Sequence, residues 1–247
     1  MVESRHKDER KKNILYLVVK NFIKNCNPIS SEFLYENFEL GCSSATIRND
    51  MAELEEEGFL RHIHTSSGRV PTYKAYRYFV DFFLSRKELT PQEKDYIDRV
   101  LLSEYDLDRL LDKASRIISD ITREVGVVSF LEKGGRIYTH GVRYLASCPE
   151  FQDLETMNTF LEVIDDVDLL WGLLEKFWEE ERRVFIGQEL GDSKLDNFSL
   201  VLQSYNVEDK SQGKLAVLGP LRMDYEKVIS GLEFISDRLD DVIDRIL

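Results

Sequence analysis

What the chain has little of narrows its class first. Its 247 residues include three cysteines and four histidines. Cys26, Cys42 and Cys148 are widely spaced, odd in number and form no CxxC pair. They read as small buried apolar residues in a reducing compartment. With His6, His62, His64 and His140 they make no zinc-ligand spacing, so neither a metal nor a cofactor is expected. No apolar run approaches the roughly 18 residues needed to cross a bilayer. The opening MVESRHKDERKK is highly charged and has no apolar leader core. A cytoplasmic chain with no membrane partner is the expectation. There is no internal repeat and no low-complexity tract.

Charge is plentiful but unevenly divided. The formal net charge is −13 and 32% of residues are charged, which taken globally disfavours polyanionic partners. Residues 1–86 nevertheless hold 13 basic and 12 acidic side chains, a balance of +1. Residues 87–247 hold 20 and 34, a balance of −14. The two parts therefore suit different partners. A hydrophobic content of 43% is enough for one large domain or two modest ones.

Periodicity and punctuation organise the first part. A helical stripe runs over residues 8–24, and the break NCNPIS follows, with Ser30 placed to cap a short helix, SEFLYENF. Ser43 or Ser44 caps a third helix to about residue 57, which Gly58 stops. Residues 59–63 and 69–70 read as two short strands around the turn HTSSG, and Thr72 opens a fourth helix, YKAYRYFVDFFLSR. The polar segment KELTPQEK marks a boundary near residue 88. Beyond it, residues 92–124 are helical with a break near 105–106, and VGVVSFL and residues 136–140 are strands. Residues 150–182 are helical with a break near 165–166. RRVFIG, NFSLVLQSY and KLAVLG are further strands, and residues 225–247 close as an amphipathic helix. Hairpin-type spacing favours an α+β fold with an antiparallel sheet over a doubly wound one. Within GPLRMDY, Arg222 reads as tied to a carboxylate at a turn, the alternative being that the motif faces a dimer partner.

Three short helices followed by a two-stranded wing is the order of a winged helix-turn-helix, so residues 1–88 are expected to form a DNA-binding domain. Projected at about 100° per residue, Ile47, Met51 and Leu54 share one stripe of the third helix. Ala45, Asn49, Ala52 and Glu53 lie opposite, with Thr46 and Arg48 flanking. A small, polar N-terminal face suits a major groove. Arg48 can reach guanine O6 and N7 or a phosphate, and Asn49 can pair with adenine N6 and N7. Ala45 can meet a thymine methyl, while Ser43, Ser44 and Thr46 can donate to phosphates. The alternative is that the serines only cap the helix and Arg48 pairs with Asp50 or Glu55. Glu53, Glu55, Glu56 and Glu57 read as plain solvated surface.

The wing adds His64, Thr65, Ser66, Ser67 and Arg69 as donors around Gly68, whose backbone can approach a phosphate. As a catalytic loop it is poor, because no carboxylate lies between Arg61 and Tyr73 to orient a Ser–His pair. No catalytic residue is assigned.

SSATIRNDMAELEEEGFL, HTSSGRVPT and YRYFVD, then HGVRYLASCPEF, IGQEL and GKLAVLGPLRMDYEKVI, together resemble the HrcA family of bacterial repressors of heat-shock chaperone operons. The resemblance covers nearly the whole chain. It implies a GAF-like regulatory and dimerisation domain at 89–247, a homodimer on an inverted-repeat operator in double-stranded DNA, and a GroEL-type chaperonin as co-repressor. Two-fold protein symmetry would match two-fold DNA symmetry. Ser67 stands where the family usually has Ala, Ala75 where Gly is common, and Leu221 where Thr is usual. VGVVSFLEKGG runs almost directly into RIYTHG, so the family's inserted dimerisation element has no room. Three other readings stay open. One is a metabolite-responsive winged-helix repressor. Another is an enzyme in the acidic part, although Asp165 with Asp166 and residues 179–181 lie in amphipathic runs. The last is a winged helix used only for protein contacts.

Overall fold

A computed structural model describes residues 2–63, 68–85, 87–130, 135–146, 148–178, 183–207 and 211–246. The chain divides into two compact units, Met1–Leu84 and Ser85–Leu247. The class is α+β, with a winged helix-turn-helix order first and an antiparallel sheet second.

The first unit runs α1 (Val2–Asn25), α2 (Ser31–Asn37), α3 (Ser44–Glu56), β1 (Leu60–His62), β2 (Arg69–Pro71) and α4 (Tyr73–Phe82). The helix α1 begins earlier than its apolar stripe predicts, since no breaker interrupts the charged residues before it and Lys7 already reaches Glu53. By contrast α4 stops short of residue 86, because Phe83 leaves the helix to pack against Tyr16 and Tyr78. Ile14, Leu15, Val18, Ile47, Met51, Leu54, Val70, Tyr76 and Phe79 are all buried. A bridge between Ile29 and Arg69 extends the β1–β2 hairpin toward the α1–α2 turn.

The second unit opens with α5 (Pro91–Leu101) and α6 (Leu107–Thr122), separated by the expected break. A capping box between Thr90 and Glu93 starts α5, and Asp106 caps α6. There follow β3 (Val125–Phe130), β4 (Ile137–His140), α7 (Val142–Leu145), a 3-10 turn at Pro149–Gln152, α8 (Leu154–Asp165) and α9 (Val167–Lys176). After them come β5 (Val184–Ile186), 3-10 turns at Gly187–Leu190 and Ser193–Leu195, β6 (Phe198–Val207), β7 (Ser211–Pro220) and α10 (Tyr225–Ile246). Sequence periodicity missed α7 and the two later 3-10 turns, each too short to show a period, and merged the first 3-10 turn into the helical stretch from residue 150.

The sheet is antiparallel in the order β4-β3-β7-β6-β5. The β6–β7 hairpin is longer than its apolar runs, with register continuing to Val207 opposite Ser211, because ladder hydrogen bonds do not require apolar side chains. Alternation sorts the two faces. Val125, Val127, Leu200, Leu202, Ala216 and Leu218 join Phe151, Phe160 and Phe198 in one core cluster. On the other face Gly126 meets α6, where an added Cβ would lie 2.5 Å from the Ser115 carbonyl oxygen. On that same side Ser199 hydrogen-bonds Tyr225 at the start of α10.

Candidate nucleic-acid interface

The helix α3 is built as its projection predicts. Ser43 is the N-cap and its Oγ accepts the Thr46 N–H at 3.2 Å, leaving the first turn helical and outward. Ile47, Met51 and Leu54 are buried, whereas Ser43, Ala45, Arg48 and Asn49 are exposed. Ser44 and Thr46 are half-buried, and the Thr46 hydroxyl lies 3.0 Å from Ser43 Oγ. These six residues therefore share one accessible N-terminal surface of α3.

The carboxylates of α3 are not plain solvated surface, except for Glu56, which is exposed. Asp50 is buried and accepts two bonds from the Arg10 guanidinium, at 2.5 and 3.2 Å. Glu53 accepts from Lys7 at 2.6 Å and from Lys11 at 3.3 Å, and those ammonium groups hold its carboxyl below the ordinary range. Lys11 also bonds Glu57. Glu55 takes His62 Nδ1 at 2.6 Å and Arg69 Nε at 2.9 Å. Burial pushes the Glu55 carboxyl up, but His62 and Arg69 outweigh it and bring it down. Helix α1 and the wing are thus bolted to α3 through its own acids. The periodicity of α3 alone could not show this, because the partners are 7 to 46 residues away in sequence.

Arg48 has a partner that the sequence reading did not name. Its Nη2 donates to Glu32 Oε1 of α2 at 2.5 Å, and both side chains are more than half exposed. The Glu32 carboxyl sits below its usual range, first through its own backbone N–H and then through Arg48.

On the wing, His64, Thr65, Ser66 and Ser67 lie outside the described residues. Gly68 packs onto backbone, where an added Cβ would stand 2.4 Å from Ile29 C and O and 2.7 Å from Ser30 N. Its small size serves that close approach. Arg69, expected as a phosphate donor, is only 11% exposed and is held by Glu55 of α3. Arg61 was not singled out by the sequence; it is exposed on β1, and among the described residues no carboxylate pairs with it. Strand alternation could have found it, since Leu60 turns inward and Arg61 outward.

In the second unit the motif segments meet inside. Arg222 Nε donates to Glu150 Oε1 at 2.5 Å. At Gly141, with φ +111°, an added Cβ would lie 2.3 Å from Ser119 Oγ and 2.4 Å from the Glu124 carbonyl oxygen. Glu124 is buried, its Oε2 has no hydrogen-bond partner among the described residues, and burial pushes its carboxyl up to about 8. A cleft of about 390 Å³ nearby is lined by Arg116, Ser119, Thr139, His140 and Arg143. Arg143 there bonds Asp120 and His140 bonds Asp112. Among the described residues no cluster of three or more His, Cys, Asp or Glu could hold a metal ion. No helix among them is long and apolar enough to cross a membrane.

Residues 129–229 match the family model described as the HrcA protein C terminal domain. The heat-inducible transcription repressor HrcA of Pelotomaculum thermopropionicum is 26% identical over 340 positions, covering 97% of this chain and 98% of the relative. A chain of 247 residues set against 340 positions leaves at least 93 of them facing gaps. The strands β3 and β4 pair directly as a hairpin, so no insert lies between them. The protein of the same name from Arthrobacter sp. is 37% identical over 188 residues, 76% of this chain and 51% of the relative. The crystal structure of a hypothetical protein shares the fold, with a TM-score of 0.76 at 19% identity over 97% of this chain and 98% of that one.

Proposed function

The chain belongs to the HrcA family, and from that premise we propose that it is a transcription repressor of heat-shock chaperone operons. As a homodimer it places two copies of α3 in successive major grooves of an inverted-repeat operator and blocks polymerase by occupancy. A GroEL-type chaperonin serves as co-repressor. The observation that carries this reading is the two-sided build of α3: Ile47, Met51 and Leu54 sealed inward, Ala45, Arg48 and Asn49 presented outward behind a Ser43 cap.

Each exposed group then has a task. Asn49 offers a donor and an acceptor to adenine, Arg48 offers paired donors to guanine, and Ala45 leaves room for a thymine methyl. Ser43, Ser44 and Thr46 meet phosphates at the helix N-terminus, where the orphan N–H groups favour an anion. His64, Thr65, Ser67 and the Gly68 backbone follow the adjacent phosphates, with Arg69 bracing the wing. The acidic second unit presents no attraction to the duplex and serves regulation and pairing.

Selection of bound duplexes from a random pool, with and without chaperonin, tests the reading. A palindromic product with spaced arms, enriched more strongly when chaperonin is present, is the expected result. No enrichment in either condition overturns it. The cleft at Arg116, His140 and Arg143 supports a second reading, a repressor that answers a small anionic metabolite. Enrichment that chaperonin leaves unchanged, but a metabolite extract alters, would favour that one.

A further inference from the structure

Arg48 does not wait for DNA as a free cation. Glu32, in the first turn of α2, holds its Nη2 at 2.5 Å while both side chains stay solvent-exposed. A guanidinium has five donors in a rigid fork. One bond to Glu32 leaves the other donors available and fixes the plane in which they point. The same bond neutralises the positive charge, and charge is what a phosphate of any sequence attracts. The first helix of a helix-turn-helix lies across the phosphate backbone, so Glu32 also stands where a phosphate would approach.

We propose that Glu32 is a specificity-determining residue of the interface: by orienting and neutralising Arg48 it keeps the guanidinium suited to a base edge and poor at holding a phosphate. This role rests on the DNA-binding reading of α3. In a non-cognate complex, held mainly by charge, Arg48 stays on Glu32 and contributes little. In the cognate complex Arg48 reaches guanine with its remaining donors and keeps Glu32 as a brace. Glu32 thereby lowers non-specific affinity more than specific affinity.

The test compares full-length wild type with E32Q on the selected operator and on a scrambled duplex of equal length, over a salt series. E36Q is the control: Glu36 is exposed on the same helix one turn on, and its loss changes net charge equally without touching the Arg48 contact. The expected result for E32Q is roughly fivefold tighter binding of scrambled DNA, with its salt slope steeper by about one and operator affinity changed by less than about twofold. E36Q should leave the operator-to-scrambled ratio as in wild type, and in an R48A background E32Q should no longer move that ratio. An unchanged ratio in E32Q overturns the role, as does an equal fall in E36Q, which would mean general charge alone. A wild-type chain that enriches no DNA removes the interface reading itself and this role with it.

Discussion

In the first unit the acids Asp50, Glu53, Glu55 and Glu57, the first of them buried, each meet a cation from α1 or the wing. In the second unit another carboxyl, Glu124, is buried with one oxygen that has no hydrogen-bond partner among the described residues. The difference is one of partners: buried Asp50 has the Arg10 guanidinium at hydrogen-bond distance, whereas Glu124 Oε2 has no donor among the described residues. A buried acid with a bonded cation can stay ionised, and one without stays inside by keeping its proton. Surface charge in the first unit is thus part of its architecture, and the exposed groups that remain are the ones free to meet a partner.

The sharpest way to break the comparison is to damage one unit and watch the other. Gly68→Ala sets a Cβ 2.4 Å from backbone atoms of Ile29, which cannot swing aside. We expect a loss of at least about 3 kcal/mol, confined to the first unit. Thermal unfolding followed by circular dichroism should show the first unit's transition shifted or lost and that of the second retained. Two intact transitions at wild-type temperatures would mean the wing is not anchored through Ile29.

Much of the first unit was legible in sequence, because helical projection reports the buried stripe and the exposed face directly. Ile47, Met51 and Leu54 inward with Ala45 and Asn49 outward needed nothing else. Glu53, Glu55 and Glu57 were misread as idle surface because their partners lie on other elements, and no local pattern encodes a long-range pair. The close approach of Gly68 to Ile29 was hidden for the same reason: Ile29 is 39 residues earlier in sequence. In the second unit the strands and the Asp166 break were visible, whereas Glu124 was passed over because a single acid beside an apolar run looks like a boundary.

Glu124 gives the next largest effect. Its carboxyl is raised from 4.5 to about 8, first by burial, with Glu150 adding to the rise and Arg222 opposing it. The folded state therefore keeps a proton that the unfolded chain has released. That contribution is complete below pH 4.5, declines as pH rises, and is gone above about 8. The slope is at most about 1.4 kcal/mol per pH unit, less where water reaches the site. Glu124→Gln should flatten it. Glu104 opposes this within the same unit: Lys113 and the Tyr105 and Asp106 N–H groups lower it to about 2, so its contribution is lost in acid. Chemical denaturation from pH 5 to 8 would decide; an unchanged slope in Glu124→Gln would show that the carboxyl is ionised in the fold.

On the interface itself, Arg48→Ala and Asn49→Ala should each weaken operator binding by about 1–3 kcal/mol and relax preference at one base position. Neither should alter folding of the first unit, since both side chains are exposed. Competition binding against a set of single-base operator variants reads this out. Wild-type affinity and preference in both variants would remove α3 as the reading helix.

The smallest expected effect separates two arginines of one wing. Arg69 is 11% exposed and committed to Glu55, whereas Arg61, on the neighbouring strand, is exposed with no carboxylate partner among the described residues. A phosphate contact costs nothing internal for Arg61 but must break an ion pair for Arg69. Arg61→Ala should therefore reduce the salt slope of binding by about one and weaken all sequences alike by less than about 1 kcal/mol, with no change in stability. Arg69→Ala should do the reverse, lowering the first unit's melting temperature by loosening the wing while leaving the salt slope near that of wild type. If Arg69→Ala instead flattened the slope at unchanged stability, Glu55 would be releasing it on binding. The line between bracing and contacting residues would then have to be redrawn within the wing.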